Sequence, residues 1–138
     1  MDVRWVLRDS IRIAMYLNRR HGGVYVYLCD ANKLVGTAAL YPRVLGRTPY
    51  VELANFFIME NFRGRGIGSA VVEELLKFVK DRGYKGLMGY ILYSDSLKNI
   101  VRRLKFYFNL KAHIKIIMRE YGRTFKGTKV PVFRFFIY

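Results

Sequence analysis

Residues 50 to 82 leave the chain few options. Tyr50 to Met59 (YVELANFFIM) is a nearly continuous apolar run, which fits a strand buried on both faces. Gly64, Gly66 and Gly68 then alternate with Arg63, Arg65 and Ile67. From Ser69 to about Arg82, Val71, Val72, Leu75, Leu76 and Val79 recur at helical spacing, with Glu73, Glu74, Lys77 and Lys80 between them. That pattern predicts an amphipathic helix, closed by Gly83. A strand, a glycine-rich turn and a helix start together make a nest for an anion. Glycine permits positive φ and close approach of the backbone to a ligand. The amides of the turn and the first helical turn converge, and the helix dipole adds positive potential. A pyrophosphate fits there, and Arg63 and Arg65 can contribute charge. The P-loop pattern fits worse, because no Gly-Lys-Ser/Thr ends the turn. The dinucleotide fingerprint also fits worse, because it needs G-x-G-x-x-G after a first parallel strand. The plain alternative is a tight strand-to-helix turn with no ligand.

Around this unit the chain reads as further strands and helices. Val3, Trp5 and Leu7 suggest a short first strand. Asp9 or Ser10 can cap a helix through about Arg20, with Leu7, Ile11, Ala14 and Met15 as its apolar stripe and Gly22-Gly23 as its stop. Val24 to Asp30 and Leu34 to Tyr41 read as a hairpin, and Pro42 to Pro49 as a loop. Leu87 to Leu92 is another apolar strand. Ser94 or Ser96 can cap a helix reaching roughly Phe108, and Ala112 to Glu120 and Val130 to Tyr138 suggest a final antiparallel pair. No linker, low-complexity tract or internal repeat interrupts residues 1–138, so they read as one domain. The fold class expected is α/β, with a mixed, mostly antiparallel central sheet flanked by helices.

Composition narrows the partners. A chain of 138 residues that is 52% hydrophobic can build one core. It contains no apolar run long enough to cross a membrane, and its N-terminus lacks the features of a signal peptide. Cys29 is the single cysteine, which excludes an internal disulfide and a four-thiolate zinc site. His21 and His113 are isolated, so the expectation is a cytoplasmic protein without metal. The formal net charge is +15. Such a field attracts anions and repels polycations. The excess concentrates from Lys98 onward, where Glu120 is the single acidic residue after Asp95. It signals either a nucleic-acid or other acidic partner, or a generic solvated basic surface.

The segment Arg63-Gly64-Arg65-Gly66-Ile67-Gly68 resembles the Arg/Gln-x-x-Gly-x-Gly/Ala signature of the GNAT superfamily of acetyl-CoA-dependent N-acyltransferases. Ile58 stands where Val is usual, an amphipathic helix follows Ser69, and the element order is similar over nearly the whole chain. The resemblance implies acetyl-CoA as cofactor and transfer of its acetyl group to an amine. It implies that backbone amides of Arg65, Gly66, Ile67, Gly68 and Ser69 hold the pyrophosphate, beside Arg63 and Gly64. The backbone around Phe57 and Ile58 would bond the pantetheine arm, in a slot opened where Tyr50–Met59 and Leu87–Leu92 splay apart.

The attacking amine must be neutral, so a base or a water chain must take its proton. Glu52 is the candidate: a carboxylate in an apolar strand is costly without a purpose. It lies eleven residues before Arg63, the spacing of the catalytic glutamate in the histone-acetylating branch of the family. Alternatively Glu52 pairs with an arginine at the sheet surface. Tyr107 is the nearest phenol to the place where many members keep a general acid, with Tyr93 as its substitute. The alternative is that both are core aromatics, the commoner fate of any one tyrosine in a chain that holds 11. Cys29 and His113 read as structural residues.

Substrate recognition in the family usually involves the region between the first two strands. Here Arg8 to Gly23 is short, with room for one helix where two are usual. An abbreviated lid suits a protein terminus, a lysine side chain or an RNA-borne amine. Arg4, Arg8, Arg12 and Arg19 lie nearby and argue against a polyamine. The expected acceptor is therefore a primary amine on a macromolecular or acidic molecule. The rival reading is a basic nucleic-acid-binding protein that keeps the fold with little or no catalysis. Exposed aromatics in Phe133 to Tyr138 would permit a homodimer interface.

Overall fold

Buried and more exposed side chains alternate through residues 11–16, 24–28 and 50–54, and the sheet is built on that period of two. The computed structural model describes the backbone of residues 2–8, 10–20, 22–92, 114–123 and 129–138, with side chains at 10–20, 22–90 and 134–138. Strands β1 (Asp2–Arg8), β2 (Ile11–Leu17), β3 (Val24–Asp30), β4 (Lys33–Leu45) and β5 (Thr48–Ile58) follow one another as an antiparallel meander. The chain then crosses through helix α1 (Ile67–Asp81) to β6 (Leu87–Leu92), which lies parallel to β5. Strands β7 (Ile114–Arg123) and β8 (Lys129–Ile137) close an eight-stranded sheet in the order β1-β2-β3-β4-β5-β6-β8-β7. The mixed, mostly antiparallel sheet and the final antiparallel pair agree with the sequence reading. The helix expected from Ser94 or Ser96 to Phe108 lies outside the described residues.

Helix α1 covers one face of the sheet. Its stripe Ile67, Val71, Val72, Leu75 and Val79 is buried against alternate residues of the strands, including Ile13, Leu28, Leu53 and Leu87. Full burial of such a side chain is worth about 1.5–3 kcal/mol, so this interface holds the helix in place. Lys77 reaches Glu73 and Glu74 on the outer side. At the C-terminus the N–H groups of Arg82 and Tyr84 return to the Val79 carbonyl, and Gly83 takes a left-handed φ of 89°. That is the geometry glycine supplies most cheaply after a helix.

Four expectations need correction. Residues 11–17 form a strand, not a helix: Ile11, Ile13 and Met15 are buried while Arg12 and Leu17 are exposed. Both periods fit this short segment, and pairing with β1 on one side and β3 on the other decides for the strand. Residues 42–49 are not a loop, because β4 and β5 continue past both prolines to a turn at Gly46-Arg47, where Gly46 has φ 63°. Strand β5 is not buried on both faces; Val51 and Leu53 are buried, whereas Glu52 and Ala54, which alternate with them, are half-buried. Finally, Phe135 and Phe136 are buried in the sheet, which removes them from an exposed interface.

The strand assignment of residues 11–17 makes a direct prediction. Ile13→Ala should cost about 2–5 kcal/mol for a fully buried side chain, and Arg12→Ala less than about 0.5 kcal/mol for an exposed one. Chemical denaturation reads both; equal costs would contradict the alternation.

Candidate functional site

The site begins with an irregularity in β5. Thr37 of β4 pairs with Phe57 and Ala39 pairs with Ala54, so Asn55 and Phe56 together face Ala38. Two residues against one is a β-bulge, which bends its strand and increases the local twist. Asn55 takes a left-handed φ of 51° there, a conformation asparagine tolerates better than most residues.

The bulge lies just beyond the place where β5 and β6 stop pairing. Their register is limited to Val51 with Leu87 and Glu52 with Met88. Past those pairs an opening of about 340 Å³ lies between the strands, lined by Glu52, Leu53, Ala54, Asn55, Phe56, Tyr90 and Phe135. This is the slot that the resemblance implied. Backbone groups on an unpaired strand edge need partners, so this edge of β5 is suited to bonding a bound chain.

The glycine turn stands at the far end of β5. Met59 N–H bonds the Val35 carbonyl, a single 3-10 turn spans Glu60–Phe62, and the turn then leads into α1. Gly64 and Gly66 have φ of 76° and 75°. Gly66 is the N-cap of α1, without a side-chain cap, and the first intrahelical bond runs from Ala70 N–H to the Gly66 carbonyl. The amides of Ile67 and Gly68 lie ahead of that bond, before the helix's own ladder begins. With the dipole they form a site for negative charge. A Cβ built on Gly64 would meet nothing within 4 Å, so the approach is open. The residues present therefore fit a pyrophosphate group.

Both arginines of the turn fold back on it. Arg63 Nε donates to the Ile58 carbonyl at 2.7 Å, and its guanidinium lies 4.9 Å from the centre of the Phe57 ring. Arg65 Nη2 donates to the Asn61 carbonyl at 3.0 Å and sits 5.3 Å from the Phe62 ring centre. These contacts tie the turn to the end of β5 and place two positive charges beside the nest. Ile67 and Gly68 are buried at the head of α1, and Ser69 is half-buried.

Glu52 lines the slot on the sheet face turned away from the α1 core. Its Oε1 accepts from Arg43 Nε at 2.9 Å, and its side chain is 16% exposed against 48% for Arg43. Both sequence readings of Glu52 are thus compatible with one geometry: it faces the slot and is paired with an arginine. Tyr50, nearby on β5, meets the Phe136 ring edge-on at 5.0 Å. Burial pushes its phenol above the ordinary value, and repulsion from Tyr138 adds to the shift.

The structure brings Glu52, Phe57, Ile58, Arg63, Gly64, Arg65, Gly66, Ile67, Gly68 and Ser69 onto one continuous strand, turn and helix. Tyr107, Tyr93 and His113 lie outside the described residues. Cys29 is half-buried in β3. Among the described residues no three of His, Cys, Asp and Glu converge as a metal site. Sequence reasoning missed Asn55, Tyr90 and Phe135. Asn55 carried a signal, being a polar residue that tolerates positive φ within an apolar run. Phe135 carried none, since its approach to the slot depends on strand order.

The profile of the acetyltransferase (GNAT) family matches residues 3–100, more than half of the chain. No curated protein matches the chain. Among solved structures, an IAA acetyltransferase from Bacillus cereus superposes with a TM-score of 0.67 at 15% identity, covering 91% of this chain and 97% of its own. A GNAT family acetyltransferase from Elizabethkingia anophelis with acetyl-CoA bound gives 0.64 at 16%, covering 94% and 98%. NAA60 of Arabidopsis thaliana in complex with acetyl-CoA gives 0.63 at 15%, covering 84% and 75%.

The left-handed backbone of the turn should resist side chains whether or not a ligand is bound. Gly64→Ala and Gly66→Ala should each lower stability by about 1–2 kcal/mol, the cost of placing an L side chain in that conformation. A denaturation midpoint unchanged in both variants would contradict the turn geometry.

Proposed function

The chain belongs to the acetyltransferase (GNAT) family, and we propose from that premise that it transfers an acetyl group from acetyl-CoA to a primary amine on a macromolecular or acidic acceptor. The observation that carries this reading is the continuity of the glycine turn, the bulged end of β5 and the slot wall that holds Glu52. On this reading the backbone amides of Arg65, Gly66, Ile67, Gly68 and Ser69 hold the pyrophosphate. Gly64 leaves the approach open, and the Arg63 and Arg65 charges favour the anion. The backbone at Phe57 and Ile58 bonds the pantetheine arm and polarises the carbonyl. Bound acetyl-CoA supplies an activated thioester for direct attack by the amine.

Glu52 removes the proton that keeps the amine from attacking, either directly or through a water. Its pairing with Arg43 orients the carboxylate at the slot. Tyr107, outside the described residues, is the proposed donor of the proton that the departing thiolate needs.

Two features support the acceptor class. The connection between β2 and β3 is confined to residues 18–23, which leaves little room for a helical lid. On the sheet face that carries Glu52, Tyr25 and Tyr27 are exposed, Tyr16 meets Tyr27 edge-on, and Arg43 lies over Tyr41. Arg12 is exposed on β2 across from Cys29. Aromatic rings and arginines along the way to a carboxylate suit an acidic or nucleic-acid-borne amine. The net charge of +15 favours a second reading, a nucleic-acid-binding protein with little or no catalysis.

Calorimetric titration with acetyl-CoA separates the two. Native protein should bind the cofactor, and Gly66→Asp, which adds bulk and negative charge to the nest, should abolish binding. A folded native protein that binds RNA and not acetyl-CoA would establish the second reading. With an accepted amine in hand from terminal peptides, lysine peptides and aminoacyl-tRNA, Glu52→Gln should lower turnover about a hundredfold or more, the usual worth of a general base. Cofactor affinity should be unchanged. Arg43→Ala, which breaks an ion pair whose arginine is largely exposed, should cost no more than about 1 kcal/mol of stability. Turnover that survives Glu52→Gln would leave Glu52 as a surface ion-pair partner only.

A further inference from the structure

We infer that Phe135 limits the length of the acyl group this protein accepts, and that Gly89 is the residue that lets its ring do so. The inference rests on the proposed placement of the thioester in the slot between β5 and β6.

Gly89 of β6 pairs with Phe135 of β8. A Cβ built on Gly89 would lie 2.6 and 2.7 Å from Cζ and Cε1 of the Phe135 ring, and 3.0 Å from the Leu53 carbonyl oxygen. The ring therefore lies across the bare backbone of Gly89 and extends from β8, past β6, to the slot. There it forms wall together with Leu53, Ala54, Phe56 and Tyr90. Glycine inside a strand often marks such a close approach. The ring is 6% exposed and belongs to the core cluster beneath α1, so packing fixes its position.

The slot also closes at this level. Toward the N-terminal ends of the two strands, Glu52 pairs with Met88 and Val51 with Leu87. A group entering the opening from the side of the glycine turn thus meets the Phe135 ring where the strands come together. A two-carbon acyl group ends before that wall, whereas a chain two methylenes longer needs the volume the ring holds.

Affinities measured by calorimetry for CoA, acetyl-CoA and butyryl-CoA test this without an acceptor. Wild-type protein should bind acetyl-CoA more tightly than butyryl-CoA. In F135A the preference for acetyl-CoA should fall by about tenfold, the worth of burying two further methylenes, with affinity for CoA itself unchanged. Because Phe135 belongs to the core, F135L is measured beside it; it keeps apolar packing and should shift the preference in the same direction by less. An unchanged preference in whichever variant folds, with CoA bound as in wild type, would overturn the inference and leave the cofactor site intact. Equal weakening of all three ligands would also overturn it, since a stop acts on the acyl group alone. Wild-type protein that fails to bind CoA would overturn the cofactor reading on which the inference rests.

Discussion

Strand β5 has two different environments along its length. In its first half it is held on both edges, by β4 throughout and by β6 over two register pairs. In its second half the bulge at Asn55 and Phe56 changes the pairing with β4, and β6 has already turned away. A sheet that paired these strands to their ends would leave no slot. The site depends on ending that pairing early while keeping the strand attached to its other neighbour. Met59 N–H on the Val35 carbonyl and Arg63 on the Ile58 carbonyl keep the end of β5 in place on the side of β4 and the turn.

The arginines show how a strongly basic chain uses part of its charge internally. Arg63 lies over Phe57, Arg65 over Phe62 and Arg82 over Phe78, and each also donates to a backbone carbonyl. A planar guanidinium can stack on a ring and bond an oxygen at once, which an ammonium group does less well. These cations therefore serve the turn and the end of α1 as packing groups while still contributing to the field that an anionic ligand meets. The charge excess is then not wholly a signature of a partner.

What could be read from the sequence was local. The turn at 63–68 and helix α1 announce themselves because positive φ selects glycine and a helix face repeats every three or four residues. The hairpin of β3 and β4 was equally legible from its two apolar runs and the turn between them. Residues 11–17 are ambiguous in sequence, because Ile11, Ala14 and Met15 satisfy a helical period while Ile11, Ile13 and Met15 satisfy a strand period. Only the neighbouring strands choose between them. Pro42 and Pro49 suggested a loop, yet they sit near the end of a long hairpin, paired with Val51 and Val44. Glu52 could be named from the cost of its charge in an apolar strand, but its partner Arg43 could not. The meeting of Gly89 with Phe135 is set by β8 lying next to β6, which no local pattern encodes.

The limited pairing of β5 with β6 also bears on how the molecule assembles. Strands β1 to β5 form a meander in which every pairing closes a short segment of chain, at small entropic cost. The parallel pairing of β5 with β6 requires the chain to travel through α1 first. Contacts of greater sequence separation tend to form late and to slow folding. The slot thus marks the junction between an early-forming meander and the strands added to it. A cofactor that bonds both sides of that junction would favour the joined state by mass action, acting as a clamp on assembly as well as a reagent.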